Sequence, residues 1–245
     1  MSDLRTDTIA SFDGTELAVH RLGAGRPVLL LHGLFSSAEM NWVRFGHAAK
    51  LADAGFEAIM PDLRAHGESG KPHDPAAYPQ GVLAKDAAAL VDALGLEDYD
   101  LVGFSLGART AARAVIGGLR PRKLVLSGMG LEGLAGWNRR AAFFIDAIDR
   151  FDEVKRGDPA FMAVSFMKTM EVDRAAARLL LQAVDDTGVE ELAKIAMPTL
   201  VLCGDKDQGQ HGRDDVALAR HLLPQLRAAI GGDGLSHRRR GRRLP

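Results

Sequence analysis

The sequence predicts an α/β fold in which a mostly parallel central sheet carries helices on both faces. Three observations predict it. The 245 residues are enough for one domain of this class. Apolar runs too short for helices recur along the chain, which is typical of strands buried on both faces. Segments with helical spacing separate these runs, as parallel β-α-β units require.

The first elements are predicted to be short strands followed by one long helix. A turn signal, Asp13-Gly14, separates the first two strands, and Gly55 is the expected stop of the helix. Within the helix, one face would be formed by Trp42, Phe45, Ala49 and Ala52. In order, the predictions are strands at 8–12, 17–22 and 28–31, a helix at 39–54 and a strand at 56–60.

The second half alternates in the same way until a long helical stretch interrupts it. The predictions are a helix at 82–94, strands at 101–104 and 124–127, a helix between them at 108–116, and strands at 199–203 and 228–230. Helices at 141–148, 161–170 and 174–184 fill the gap before the last two strands. We therefore expect a discontinuous core of residues 1–130 and 196–233, a helical cap at 131–195 and an Arg-rich, disordered tail at 234–245.

Composition narrows the classes of function. No apolar run approaches the ~18 residues that a membrane span needs, and residues 1–13 lack the pattern of a signal peptide. The formal net charge of −1 favours neither nucleic acid nor an anionic membrane as a partner. Cys203 is the only cysteine, which predicts a cytoplasmic location. The expected partner is a small-molecule substrate, and the sequence does not specify an oligomeric state.

The strongest motif is the pentapeptide Gly103-Phe104-Ser105-Leu106-Gly107. A G-x-S-x-G pattern is weak alone, but here it follows an apolar strand and opens a helix, which is the setting that a nucleophile elbow requires. The tight turn needs small residues on both sides of the serine. Ser105 is therefore the predicted nucleophile, and the alternative is that it only caps the helix.

With these residues, and with Leu31-His32-Gly33-Leu34 after a buried strand, nearly the whole chain resembles the α/β-hydrolase fold family. The resemblance covers residues 9–232 and implies an oxyanion hole made by the backbone N–H groups of Leu34 and Leu106. The segment 61–69 is similar to the family's D-x-R-G-H-G-x-S turn, with Ala65 at a usual glycine. His32 and His66 belong to such turns and are expected to brace loops.

The same resemblance implies that Asp207 is the acid of a catalytic triad, because Gly204 opens a G-x-x-D spacing after an apolar strand. Asp205 is the second choice. The base position holds Gly234, and the nearest histidine is His237, three residues later. Two explanations stay open: His237 reaches back as the base, or the reading frame is altered near residue 234. The Arg-rich tail also lacks the apolar spacing of the family's final helix.

The implied reaction is hydrolysis of a small or medium uncharged carboxylic ester through Ser105, His237 and Asp207, with no metal and no cofactor. Carbon–carbon bond hydrolysis, lactone hydrolysis and cofactor-free haloperoxidation remain alternatives on the same site. A catalytically impaired binding protein is the rival class, because the usual base position is Gly234. The cap offers either an apolar lining or ordinary helix packing through Phe143, Phe144, Phe161, Met162, Phe166, Met167 and Met170.

Overall fold

A computed structural model of the protein describes residues 4–184, 186–204 and 226–231. Within these residues, eight strands form one sheet. Each apolar run of the sequence forms a strand, as predicted. The strands are β1 (Arg5–Ala10), β2 (Glu16–Gly23), β3 (Arg26–Leu31), β4 (Phe56–Pro61), β5 (Asp100–Phe104), β6 (Lys123–Ser127), β7 (Thr199–Gly204) and β8 (Leu226–Gly231).

The sheet has the order β1-β2-β4-β3-β5-β6-β7-β8. The pairs β1–β2 and β2–β4 are antiparallel, and all other neighbours are parallel. This arrangement confirms the predicted mostly parallel sheet. From β3 the chain crosses to β4 on one side and later returns to β5 on the other, so the loops after β3 and β5 adjoin at the carboxyl edge. A parallel α/β sheet binds its ligands at such a switch point.

The helices agree with the predicted positions except in one region. They are α1 (His47–Asp53), α2 (Val82–Ala93), α3 (Leu106–Ile116), α4 (Leu131–Ala135), α5 (Trp137–Asp149), α6 (Phe161–Thr169) and α7 (Arg174–Ala183). Two 3₁₀ helices, Pro75–Ala77 and Val189–Lys194, accompany them. None of the helices among the described residues is long and apolar enough to cross a membrane.

The single long helix predicted at 39–54 is wrong. The chain instead forms one π-helical turn, Glu39–Val43, and then α1. Gly46 separates them with a φ of 74°, a left-handed conformation that ends one helix and starts another. Phe45 is 64% exposed, so the predicted apolar face does not form there.

The centre of the sheet is buried on both faces, as its apolar strands predict. In β3, Leu29 and Leu31 pack into the larger core, while Val28 and Leu30 pack into a smaller core on the opposite face. Successive side chains of a strand point to opposite faces, so one uniformly apolar run serves both cores.

Among the described residues of the segment between β6 and β7, 131–184 and 186–194, helices alternate with turns and loops and no strand occurs. It is tied to the core through Arg109 of α3, which is 1% exposed. Its Nη1 donates to the carbonyl oxygen of Leu134 at 2.6 Å and to Oγ1 of Thr187 at 3.3 Å. The guanidinium also lies 5.5 Å from the centre of the Trp137 ring.

Candidate active site

Ser105 occupies the turn between β5 and α3 with φ 53° and ψ −115°. A non-glycine residue rarely adopts a positive φ, and such strain collects at functional sites. The turn is held by its backbone, since the N–H of Ser105 donates to the carbonyl oxygen of Ser127 at 2.8 Å. Its side chain caps no helix N–H, and the residue is half-buried and not in the core. The helix-cap alternative is therefore wrong.

The two glycines of the pentapeptide are required by close backbone contacts. A Cβ atom on Gly103 would lie 2.3 Å from the carbonyl oxygen of Gly107, and one on Gly107 would lie 2.0 Å from that of Leu31. Neither position has room for a methyl group. The contact between Gly107 and the end of β3 also brings the start of α3 against the neighbouring loop.

The loop after β3 lies directly beside Ser105. A Cβ atom on Gly33 would lie 3.5 Å from the Cβ of Ser105. Leu34 follows in this loop, and Leu106 begins α3. No described residue accepts a hydrogen bond from the backbone N–H of either leucine. These two N–H groups, with the first turn of a helix beside them, could therefore bind a developing oxyanion.

His32 is a brace of the strand ends, as expected. Its Nδ1–H donates to the carbonyl oxygen of Gly33 at 2.8 Å, and its Nε2 accepts from the N–H of Leu63 at 2.9 Å. The ring is fully buried, and this burial lowers the pKa of His32 below its ordinary value. Because both ring nitrogens are occupied by backbone groups, His32 has no atom left to serve as a base for Ser105.

His66 is a second brace, and it reaches the same loop. Its Nδ1–H donates to the carbonyl oxygen of Arg64 at 2.9 Å, and its Nε2 accepts from the N–H of Phe35 at 2.9 Å. Burial lowers the pKa of His66 to about 3. The two imidazoles of His32 and His66 meet edge to face, with ring centres 5.1 Å apart.

The turn after β4 is organised by a buried carboxylate. Asp62 accepts the N–H groups of Ala38 and Glu68, both at 2.7 Å, and lies 3.4 Å from Nε2 of His20. Burial alone would raise the pKa of Asp62, but the hydrogen bonds from His20 and these backbone groups lower it to about 2. Ala65 has a φ of 67°, which explains why the related sequence pattern carries glycine there.

The described surroundings of Ser105 are largely apolar. Phe104 is 39% exposed beside it, and a Cβ on Gly128 would lie 2.9 Å from that ring. Phe144 of α5 meets Phe35 edge to face with ring centres 5.5 Å apart, so α5 packs against the loop after β3. The other aromatic and methionine side chains that the sequence offered either as a lining or as ordinary helix packing differ in burial: Met167 is 1% exposed, Phe143 is 41% exposed and Met162 is 74% exposed.

The sequence-predicted site residues divide into two groups. The structure brings together Ser105, Leu34 and Leu106 at one end of the sheet. Asp207 and His237, like Asp205 and the Arg-rich tail, lie outside the described residues. Asn41 was not predicted: its Oδ1 accepts from the N–H of Gly33 at 2.8 Å. No motif singles out this asparagine, because the contact depends on the unexpected π-helical turn.

Comparison with known proteins decides the family. The α/β-hydrolase fold family matches residues 26–117, from β3 through α3. A non-heme haloperoxidase of Rhodococcus erythropolis is 30% identical over 260 aligned positions, which cover 94% of this chain and 92% of that protein. The chain belongs to the α/β-hydrolase family. This hydrolase is also 38% identical to an epoxide hydrolase of Caballeronia sordidicola, over 44% of its own length and 32% of that protein.

Solved structures show the same architecture. An esterase of Thermogutta terrifontis is 27% identical with a TM-score of 0.65, over 92% of this chain and 89% of that one. The esterase RhEst1 of a Rhodococcus species is 25% identical with a TM-score of 0.68, over 93% and 89% of the two chains. The match to the epoxide hydrolases, by contrast, spans about a third of their length. These likenesses agree with membership of the α/β-hydrolase family and leave the reaction and the substrate of this chain open.

Proposed function

We propose that this hydrolase cleaves small or medium uncharged carboxylic esters, with Ser105 as the nucleophile. The observation that carries the proposal is the strained turn at Ser105 beside the N–H groups of Leu34 and Leu106. A hydroxyl nucleophile next to two backbone donors suits acyl transfer, because the tetrahedral intermediate carries its negative charge on the former carbonyl oxygen.

The proposed reaction has two halves. Oγ of Ser105 bonds to the carbonyl carbon, its proton passes to His237, and that proton then leaves with the alcohol as the ester C–O bond breaks. Water next attacks the acyl-enzyme, gives its proton to His237 and releases the acid, while the proton returns to Ser105. Asp207 would hold the imidazole in the right tautomer and offset its positive charge.

The identity of the nucleophile favours esters over epoxides and haloalkanes. A serine hydroxyl that opens an epoxide or displaces a halide forms an ether, and water does not cleave an ether under mild conditions. An acylated serine is itself an ester, which the same oxyanion donors help water to hydrolyse. Ser105 therefore supports an activity different from the one in the names of the epoxide hydrolase relatives.

The described surroundings support an uncharged substrate. Exposed Phe104 offers an apolar surface beside the nucleophile, and the pair Phe35 and Phe144 closes one side of the loop. We propose that residues 131–195 act as a cap over this end of the sheet. We also propose a cytoplasmic location, on the basis of the single cysteine.

The test combines turnover with active-site labelling. Wild type should hydrolyse p-nitrophenyl acetate and react with a fluorophosphonate, and Ser105→Ala should lose both. His237→Ala should reduce both by several orders of magnitude, because members of a triad act as a unit. Full activity in Ser105→Ala would overturn the proposed nucleophile, and equal labelling of wild type and His237→Ala would remove His237 from the mechanism. Tight ester binding without turnover would instead support a binding protein.

Haloperoxidation is a second candidate, favoured by the relative that matches along nearly the whole chain. If hydrogen peroxide replaces water in attacking the acyl-enzyme, the product is a peracid, which can oxidise bromide. The measurement is bromination of a phenol dye with peroxide, bromide and acetate, compared between wild type and Ser105→Ala. Bromination that is equal in both variants would exclude this route.

A further inference from the structure

In the loop between β3 and the π-helical turn, three successive backbone N–H groups differ in their hydrogen-bond acceptors. The N–H of Gly33 donates to Oδ1 of Asn41 at 2.8 Å, and the N–H of Phe35 donates to Nε2 of His66 at 2.9 Å. Between them, the N–H of Leu34 has no acceptor among the described residues. Two side chains thus hold the amides on either side of the proposed oxyanion donor.

From this arrangement we infer that Asn41 and His66 are positioning residues for the oxyanion hole of this enzyme. They act through the backbone and do not touch the reacting atoms, so they are not catalytic residues. The inference rests on the ester-hydrolase proposal, since it assigns the residues that orient the Leu34 donor. Their shared task is to fix the peptide planes before and after the Gly33–Leu34 peptide, which carries the donor N–H.

Strain in the loop explains why such a clamp is needed. Phe35 has a φ of 59°, a conformation that costs a non-glycine residue roughly 1 kcal/mol or more. Without an acceptor for its N–H, Phe35 could relax to a negative φ, and the peptide between Leu34 and Phe35 would turn. The Leu34 N–H lies in the adjoining peptide, between Gly33 and Leu34, so a rotation next to it would remove the support that holds this donor in place, and a preorganised donor is effective only in its fixed place.

His66 is well suited to this task. Its Nδ1–H is used by the carbonyl oxygen of Arg64, so Nε2 keeps the lone pair that Phe35 needs. The side chain is 3% exposed, and burial lowers the pKa of His66 to about 3. The ring therefore stays neutral, and Nε2 stays an acceptor, throughout the pH range in which an esterase is assayed.

Asn41 reaches the loop because of the π-helical turn Glu39–Val43. Single turns of this kind recur near functional sites, where they redirect a side chain. Met40 donates its N–H to Oγ of Ser37 at 3.1 Å, which fixes the start of the turn. The π-helical turn thus places the side-chain oxygen of Asn41 against the N–H of Gly33.

The test separates positioning from stability. In His66→Leu and in Asn41→Leu the acceptor is lost at similar volume. We expect kcat for p-nitrophenyl acetate to fall about 10- to 100-fold with KM within about twofold, which is below the 10²–10³ loss expected for removing an oxyanion donor outright. His66→Gln restores an acceptor oxygen and should recover most of the kcat. Urea unfolding of every variant gives the folded fraction.

His20→Leu is the matched control, because it makes the same substitution at another buried histidine. His20 bonds to Thr6 and Asp62 and to none of residues 33–35. Its kcat per folded molecule should stay within twofold of wild type. If His66→Leu fails to fold, the half-buried Asn41 carries the test alone.

Ser105→Ala, measured in the same series, shows whether the positioning role or the ester-hydrolase proposal is wrong. If Ser105→Ala is inactive while His66→Leu and Asn41→Leu keep the wild-type kcat, the positioning role is wrong and the ester-hydrolase proposal stands. A drop in kcat equally large in His20→Leu would also overturn it. If Ser105→Ala remains fully active, both proposals fall together.

Discussion

At the scale of single residues, the site depends on glycines at positions where a Cβ atom would clash with the backbone. Gly107 shows this most directly, because its missing Cβ leaves room for the carbonyl oxygen of Leu31. The sequence predicts this glycine correctly from the G-x-S-x-G spacing. The structure adds the reason, which is the contact of α3 with the loop that carries Leu34.

Gly107→Ala should therefore be costly for both folding and chemistry. We expect a loss of more than about 2 kcal/mol of unfolding free energy, since overpacking a close contact forces backbone shifts, together with a loss of fluorophosphonate labelling. Gly117→Ala is the matched control at the other end of α3. Its φ is −74° and its added Cβ would meet its nearest neighbour at 3.2 Å. A Gly107→Ala variant as stable as Gly117→Ala would contradict the close contact.

Ser105 should be a site where stability can be gained. Its φ of 53° strains any side chain, and glycine accepts such a conformation freely. We expect Ser105→Gly to unfold at a higher urea concentration than Ser105→Ala, by about 1 kcal/mol in free energy. Both variants lack the hydroxyl, so the comparison isolates the backbone. Equal midpoints would mean that the turn is unstrained.

At the scale of elements, one arginine joins four separate segments of the chain. Arg64 is fully buried and donates to Asp13 at 2.6 and 2.9 Å, to Asp86 of α2 at 2.7 and 3.0 Å, and to the carbonyl oxygen of Ala77 at 2.5 Å. All five of its N–H groups are used, and Ser11 also donates to Asp86 at 2.5 Å. Burial alone would lower the pKa of Arg64, but the hydrogen bonds that it donates to the two carboxylates raise the pKa above its ordinary value.

Replacing this arginine should strongly lower the free energy of unfolding. Arg64→Met keeps much of the volume but leaves two carboxylates without their partner, one of them buried, and breaking a buried ion pair typically costs 3–5 kcal/mol. We expect a loss of about that size in urea unfolding. Arg150→Met is the surface control, since Arg150 pairs with Asp146 and Asp158 at an exposed site, and its urea midpoint should not change measurably. Equal midpoints for the two variants would contradict the network's role.

The elements of the fold differ in how well the sequence predicts them. The central strands were predictable, because a sheet covered on both faces needs uniformly apolar runs such as 28–31 and 101–104. The edge strand β1 is mostly exposed, and its predicted range of 8–12 overlaps only the end of the observed strand. The interruption at Gly46 was missed, because helical spacing continues across it and does not reveal the left-handed backbone of that glycine. The sharp turn at Ser105 followed from local spacing, whereas the hydrogen bonds on the loop after β3 join residues 8 and 31 positions apart, which no local pattern reveals.

At the scale of the whole molecule, buried histidines couple folding to pH. Burial lowers the pKa of His32, and burial lowers that of His66 to about 3, from an ordinary value of 6.5. The unfolded chain therefore takes up protons at these sites below pH 6.5, while the folded chain does not. Protons bound preferentially by the unfolded state destabilise the fold as pH falls.

We accordingly expect the unfolding free energy to fall between pH 6.5 and pH 5, by up to about 1.4 kcal/mol per pH unit for each histidine. His20 acts in the other direction: the hydrogen bond to Asp62 raises the pKa of His20, so its stabilisation is present below pH 6.5 and is lost as pH rises through that raised pKa. The measurement is the urea midpoint from pH 5 to 8. His66→Gln should flatten the acid side, and His20→Gln the alkaline side. A flat wild-type profile below pH 6.5 would contradict the prediction.

The position of β1 in the strand order has a consequence for self-association. Among the described strands, β1 pairs only with β2 and leaves its other side without a partner. Such an unpaired edge strand can pair with the same strand of a second molecule and begin aggregation, unless charged side chains oppose the pairing. Arg5 and Asp7 are both exposed on this six-residue strand. Their charges would have to be desolvated for two such edge strands to join, so these two side chains help to keep the molecules apart at high concentration.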